Sequence, residues 1–264
     1  MGTVNIAFVQ ASLFWQNHAA NLSKFKQIIE SLSDDTGLVI LPEMFLTGFV
    51  VNPEPNAISQ DSAEIKELQK LSAIKNLVIS GSVIIKEKNQ FYNRFLWISP
   101  DGSISYYDKR HLFTYGGEDK NFNAGNSLKT FNLKGIKFRP LICYDLRFPV
   151  WSRNRFSKEH GYEYDVLIYT ANWPSPRSQV WSALLKARAI ENQCFVLGVN
   201  RVGTDGEGLN YSGDSVLFNA RGEVMAKAEA SKELVINATI DLAELNSFRE
   251  KFAVGPDWDD FTIH

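Results

Sequence analysis

The chain predicts an α/β fold built as a four-layer α-β-β-α sandwich. Two observations carry that reading. Apolar runs of strand length alternate with amphipathic runs at helical spacing along the 264 residues. The order helix, strand, then a hairpin closed at a glycine turn also occurs twice, which describes two similarly built halves. Such halves bury their sheets against one another and cover both outer faces with helices.

The elements follow in order. Val4–Gln10 is the first strand, and Asn17 caps a helix reaching about Ser33. Leu22, Phe25, Ile28, Ile29 and Leu32 share one face of that helix. Leu38–Leu41 is the next strand. Ile65, Leu68, Leu71 and Ile74 then recur at helical spacing over Ser62–Lys75. Leu77–Ile84 and Phe91–Ile98 are strands joined at Lys88-Asn89, and Pro100-Asp101-Gly102 turns tightly into the strand Ser103–Asp108. Ile136–Ile142 and Asp165–Thr170 are strands again. A helix over Ser178–Asn192 leads to the strand Cys194–Asn200. A hairpin of Ser215–Asn219 and Val224–Glu229 closes at Ala220-Arg221-Gly222. The segments Lys109–Ser127 and Asn200–Ser215 carry no regular periodicity, and loops of that length usually serve as lids or contacts. No Pro/Gly/Ser-rich linker divides the chain. Residues 1–264 therefore read as one domain, with a C-terminal tail from about 242.

Composition narrows the functional classes. Hydrophobic residues make up 44% and charged residues 22%, enough apolar material for a large core. The net charge is −2 and no basic block occurs, which argues against a nucleic-acid partner. An acidic ligand would have to be held by placed arginines. No apolar run has membrane-spanning length, and the first residues show no charged-then-apolar leader pattern, so a cytoplasmic protein is expected. Cys143 and Cys194 make no disulfide framework, and His18, His111, His160 and His264 form no metal-binding pair. No metal or organic cofactor is expected.

The chemistry gathers where three strands end. Cys143 terminates the run Ile136–Ile142 and opens the turn Cys143-Tyr144-Asp145-Leu146-Arg147-Phe148-Pro149. Such an elbow lifts a nucleophile above the sheet edge and aims the next backbone N–H at the same point. Glu43 follows Leu38–Leu41 through Pro42, and Lys109 follows Ser103–Asp108. A thiol, a carboxylate and an ammonium at strand ends suit amide hydrolysis: a nucleophile, a general base and a donor to the oxyanion, the last shared with the Tyr144 N–H. Cys194 opens an apolar strand and reads as core. His111 reads as structural. Arg147, Trp173 and Arg177 lie near the elbow and the end of the next strand. Arg147 either binds a substrate carboxylate or forms a salt bridge to Asp145 or another nearby acid. Trp173 walls the pocket, and Arg177 either caps it or begins the next helix.

Three motifs in this order resemble the nitrilase, or carbon–nitrogen hydrolase, superfamily: Leu41-Pro42-Glu43, Asp108-Lys109-Arg110-His111-Leu112-Phe113, and Ile142-Cys143-Tyr144-Asp145-Leu146-Arg147-Phe148-Pro149. The resemblance runs from the first strand to the hairpin near Asp214–Glu229. The elbow, with Tyr169-Thr170-Ala171-Asn172-Trp173-Pro174-Ser175-Pro176-Arg177, resembles the ω-amidase branch, which acts on ω-amides of 2-oxo dicarboxylic acids. The resemblance implies the sandwich fold and a Glu43-Lys109-Cys143 triad. It also implies a second acid at Glu118, for which the adjoining Asp119 is an alternative. It implies association through one helical outer layer, and two-fold symmetry, the commonest closed arrangement, makes a homodimer the expectation. The aromatics of Trp151–Phe156 and Phe252–Phe261, with Trp258, lie either at that contact or in ordinary core packing. Other outcomes on this fold are a carbamoylase, nitrilase or acyltransferase. A catalytically silent binding or scaffold protein is the alternative from another class.

Overall fold

The computed structural model describes residues 2–263. The first half comprises β1 (Thr3–Gln10), α1 (His18–Glu30), β2 (Thr36–Ile40), α2 (Ala63–Lys75), β3 (Val78–Glu87), β4 (Gln90–Ile98) and β5 (Ile104–Asp108). After it come β6 (Phe131–Leu133), β7 (Ile136–Ile142), α3 (Pro149–Ser152), β8 (Phe156–Ser157), β9 (Gly161–Tyr162) and β10 (Val166–Ala171). The remainder is α4 (Ser178–Asn192), β11 (Phe195–Asn200), β12 (Val202–Thr204), β13 (Asn210–Ser212), β14 (Val216–Phe218), β15 (Val224–Lys227), β16 (Leu234–Asp241) and α5 (Leu242–Lys251). Among these residues no helix is long and apolar enough to cross a membrane.

Two six-stranded sheets form the middle layers, ordered β16-β1-β2-β3-β4-β5 and β15-β14-β11-β10-β7-β6. The halves correspond strand for strand. Neighbours β1, β2 and β3 are parallel, as are β7, β10 and β11. Each trio continues into two antiparallel strands, β4 and β5 or β14 and β15. The expected repeat of helix, strand and glycine-closed hairpin is this correspondence.

The two-residue period of a strand sorts the core into layers. In β1, Val4, Ile6 and Phe8 join the apolar cluster shared with the second sheet. Ala7 and Val9 point the other way and pack with Phe25 and Ile29 of α1 and Ile65 and Leu68 of α2. On the second sheet, Trp181, Leu185 and Ala189 of α4 complete the outer contact. Gly198 of β11 permits the close approach: a Cβ there would lie 2.3 Å from Leu185 Cδ1.

Local signals set the helix boundaries. Asn17 Oδ1 accepts the Ala20 N–H at 3.1 Å, and Ser62 Oγ accepts the Ile65 N–H at 3.4 Å. Asn76 ends α2 in the left-handed region at φ 51°. The first helix stops at Glu30, short of the expected Ser33, where the Ser31 N–H turns back onto Gln27 and Ile28.

Several segments depart from the sequence reading, among them β6, α3 and the β8–β9 pair, which it did not anticipate. β16 extends the first sheet by pairing antiparallel along the whole of β1, a partner more than 220 residues away. The expected tail begins with α5, anchored where Arg249 Nη1 meets Asp165 Oδ1 at 2.7 Å, both buried. The aperiodic stretch Asn200–Ser215 contains the two-stranded ribbon β12–β13, whose three-residue strands are too short to show a period.

Candidate active site

The ends of β2, β5, β7 and β10 meet at one place, where the sheets present their C-terminal edges. Past β2, the Met44 N–H donates to Ser82 Oγ at 2.9 Å and the Phe45 N–H to the Ser82 carbonyl at 3.0 Å. This seats Glu43, fully buried, beside β3 and β4. Past β5, the Lys109 N–H donates to the Asn93 carbonyl of β4 at 3.0 Å, and the Lys109 carbonyl accepts from the Gly125 N–H at 2.9 Å. Gly117, in the left-handed region at φ 79°, turns the chain into a short 3₁₀ turn that directs Glu118 inward. Asp119 is exposed, so of the two adjoining acids it is Glu118 that points into the cluster.

These side chains form one buried ionic cluster. Lys109 Nζ lies 3.0 Å from Glu43 Oε1 and 2.9 Å from Glu118 Oε2. Asn93 Nδ2 donates to Glu43 Oε1 at 2.8 Å and to Glu118 Oε1 at 3.2 Å. The second Glu43 oxygen accepts the Asn172 backbone N–H at 2.7 Å and its side-chain amide at 3.3 Å. The Phe113 N–H adds a 2.6 Å bond to Glu118 Oε2. Every carboxylate oxygen thus has donors, the condition under which buried charge is tolerated.

Cys143 stands above the cluster at φ 44°, a left-handed conformation rare for a residue with a side chain. The strain is that of a nucleophile elbow, and such strain concentrates at functional sites. The turn is held by Asp145 beneath it. Asp145 Oδ2 accepts from the Ile142 N–H at 3.0 Å and the Tyr107 hydroxyl at 2.7 Å, while Oδ1 accepts the His111 N–H at 3.0 Å. His111 Nδ1 also lies 2.8 Å from Asp145 Oδ1, and its ring stacks on Phe148. His111 is thus tied into the turn below Cys143. The alternative pairing of Arg147 with Asp145 is overturned, because Asp145 points inward and its oxygens are taken.

Electrostatics follow from burial and charge count. Burial pulls the Lys109 ammonium down, but Glu118 and Glu43 outweigh it and hold its pKa above the ordinary value. Burial raises Glu118, with Lys109 opposing and Glu43 reinforcing the rise. Burial, then Glu43, raises the Cys143 thiol well above its usual range. One ammonium faces two carboxylates here, so a thiolate would add to the negative charge of the cluster. Cys194 is fully buried in the core, where burial pushes its thiol up to about 12.

The cluster opens into a cavity of about 590 Å³, lined by Lys109, Cys143, Tyr144, Arg147, Trp173 and Arg177 among others. Its volume is ample for a small organic substrate. Trp173 forms a wall, with the exposed Arg147 guanidinium 5.0 Å from its ring centre. Arg177 both begins α4 and lines the cavity, 5.9 Å over the Phe113 ring. Neither arginine is ion-paired among the described residues.

A family model described as carbon-nitrogen hydrolase matches residues 5–250. The chain belongs to the carbon-nitrogen hydrolase family. Like other members, it is an enzyme of the nitrilase superfamily, with that superfamily's two sheet layers between helices. It is 41% identical to the omega-amidase YafV of Escherichia coli K12 across 100% of both chains. It is 33% identical to the 2-oxoglutaramate amidase of Bacillus subtilis, covering 96% of each. A solved carbon-nitrogen hydrolase superfamily protein of Xanthomonas campestris, with an arsenic adduct in its active site, superposes with a TM-score of 0.97 at 39% identity over 100% of both chains.

Sequence reasoning missed two residues of this hydrolase's site, Asn93 and Asn172. Each lies in or beside an apolar strand, and a buried amide there is the available signal. Its meaning depends on which strands pair.

Proposed function

We propose that this hydrolase is a cysteine-dependent ω-amidase, releasing ammonia from small ω-amides of 2-oxo dicarboxylic acids such as 2-oxoglutaramate and 2-oxosuccinamate. The observation that carries the reading is the meeting of an elbow thiol with a buried Glu-Lys-Glu cluster at one cavity bearing two unpaired arginines. The named activities of the Escherichia coli and Bacillus subtilis relatives supply the substrate class.

Glu43 takes the thiol proton as Cys143 Sγ bonds to the amide carbon, and the carbonyl electrons move onto oxygen. Lys109 and the Tyr144 N–H stabilise that oxyanion; one such donor is worth about 10²–10³ in rate. The C–N bond breaks, and nitrogen leaves as ammonia with the proton held by Glu43. A thioester on Cys143 remains. Glu43 then takes a proton from water, the new hydroxide attacks the thioester, and the C–S bond breaks to release the acid as Glu43 returns that proton to sulfur and restores the thiol. Glu118 holds Lys109 protonated and in place. Arg147, backed by Trp173, and Arg177 receive the remote carboxylate; a planar guanidinium fixes its distance from the attacked carbonyl.

We also propose a cytoplasmic, single-domain homodimer. Val150 and Ile190 are exposed beside a groove formed with Trp258 and Phe261, on the outer layer built by α3 and α4. Trp151 is not part of that surface: it is buried, and its Nε1 donates to the Tyr107 hydroxyl at 3.0 Å. The catalytic reading is tested by ammonia release from a panel of ω-amides, carbamoyl compounds and nitriles, with hydroxylamine as an acyl acceptor. Preference for the acidic ω-amides supports it. Faster turnover of a nitrile or carbamoyl compound, or faster acyl transfer than hydrolysis, assigns the same site to another outcome. No turnover at all points to a binding protein.

A further inference from the structure

We propose that Asn93 is a positioning residue of the reaction: its side-chain amide bridges the two buried carboxylates and fixes the Glu43 orientation that Cys143 meets. Asn93 projects from the middle of β4, opposite Ile84 of β3. It is fully buried, and its Nδ2 reaches Glu43 Oε1 at 2.8 Å and Glu118 Oε1 at 3.2 Å. Its backbone carbonyl accepts the Lys109 N–H at 3.0 Å, so one residue orders all three charged members. The amide has one allowed orientation, because a flip would set Oδ1 against two carboxylates.

Four donor contacts occupy Glu43: Lys109 and Asn93 on one oxygen, and the two Asn172 groups on the other. The charged or titratable groups around it are Lys109 after β5, Glu118 from its 3₁₀ turn and Cys143 after β7. Among the contacts to Glu43 Oε1, only Asn93 supplies a neutral donor. Without it Lys109 alone would hold the two acids together, free to favour either. Glu43 would keep Lys109 and the two Asn172 donors but lose the neutral donor that fixes Oε1 relative to Glu118.

The inference rests on Glu43 acting as the base. Asn93→Leu keeps similar volume and removes the bridge. It should lower kcat roughly tenfold to a hundredfold, less than the 10²–10⁴ a whole general base contributes. The acid limb of its kcat/KM profile should move up by about one pH unit, since losing a donor disfavours the carboxylate. Activities are compared per active site, counted by alkylation of Cys143. Asn93→Ser, whose single hydroxyl reaches one acid at most, should fall between wild type and Asn93→Leu on both measures. It decides the matter if the leucine variant does not fold. Glu43→Gln is measured in parallel. An inactive Glu43→Gln beside an Asn93 variant with unshifted pH profile and normal kcat overturns the role of Asn93 alone. An active Glu43→Gln overturns the reading of Glu43 itself.

Discussion

Replacing Lys109 with methionine removes the one cation between two buried carboxylates while keeping most of the side-chain volume. Nζ lies 3.0 Å from Glu43 and 2.9 Å from Glu118, and both acids are fully buried. Breaking a buried pair by deleting one partner costs about 3–5 kcal/mol. For a domain of this size each kcal/mol lowers Tm by about 2–4 °C, giving a fall of roughly 6–20 °C. The loss depends on pH, and its sign is fixed. In the variant, burial and mutual repulsion raise the carboxylates above their unfolded values. The folded state then binds protons more tightly than the unfolded chain, and stability falls as pH rises past the ordinary carboxylate value of about 4.3. The Tm deficit should be smaller at pH 5 than at pH 8. Catalysis suffers twice, through the lost oxyanion donor and through a proton retained on the Glu43–Glu118 pair. A decrease in kcat of about 10³ or more is expected. Thermal melts by circular dichroism and steady-state ammonia release measure both effects. A kcat within tenfold of wild type, or an equal Tm deficit at both pH values, would refute this account of Lys109.

Glu43→Gln should lower kcat by about 10² or more, and combining it with Lys109→Met should add little, because groups that act as a unit fail together; the two single variants and the double variant are compared by ammonia release. Iodoacetamide should alkylate Cys143, which lines the cavity, before the fully buried Cys194, as peptide mass spectrometry can establish. Arg147→Lys should raise KM for an acidic ω-amide at least several-fold and leave a neutral amide of equal length little changed; a parallel rise for both would remove Arg147 from carboxylate binding. Light scattering at micromolar concentration should give twice the 29.9 kDa chain mass, and a monomer mass would contradict the dimer.

Much of the fold was legible because local rules decided it. The bounds of α4 agree with the sequence reading, and those of α2 differ by one residue at the cap. Hydrophobic spacing marked α2 through Ile65, Leu68 and Leu71, whereas Ile74, expected on the same face, is exposed. Glu43, Lys109 and Cys143 stood out because each places a reactive group just past the end of a strand-like run. Their meeting required two sheets to face one another, which the repeated order of elements indicated. Other features depended on long-range pairing. β16 found its place only through β1. Asn93 lies inside the expected strand Phe91–Ile98 with nothing local to show its role, and only the pairing of β3, β4 and β5 turns it toward Glu43 and Lys109. The inward turn of Asp145 likewise depends on Tyr107 and His111, neighbours that local sequence does not supply.

The central claim is that amide cleavage proceeds through the Cys143 thiol. The most direct measurement is ammonia release from 2-oxoglutaramate by the wild type and by Cys143→Ala, with the fold of both checked by circular dichroism. The account predicts rapid release by the wild type and less than a few per cent of that rate from a folded Cys143→Ala, since no second nucleophile is placed to replace the thiol. A folded Cys143→Ala that still releases ammonia at a substantial fraction of the wild-type rate would contradict it.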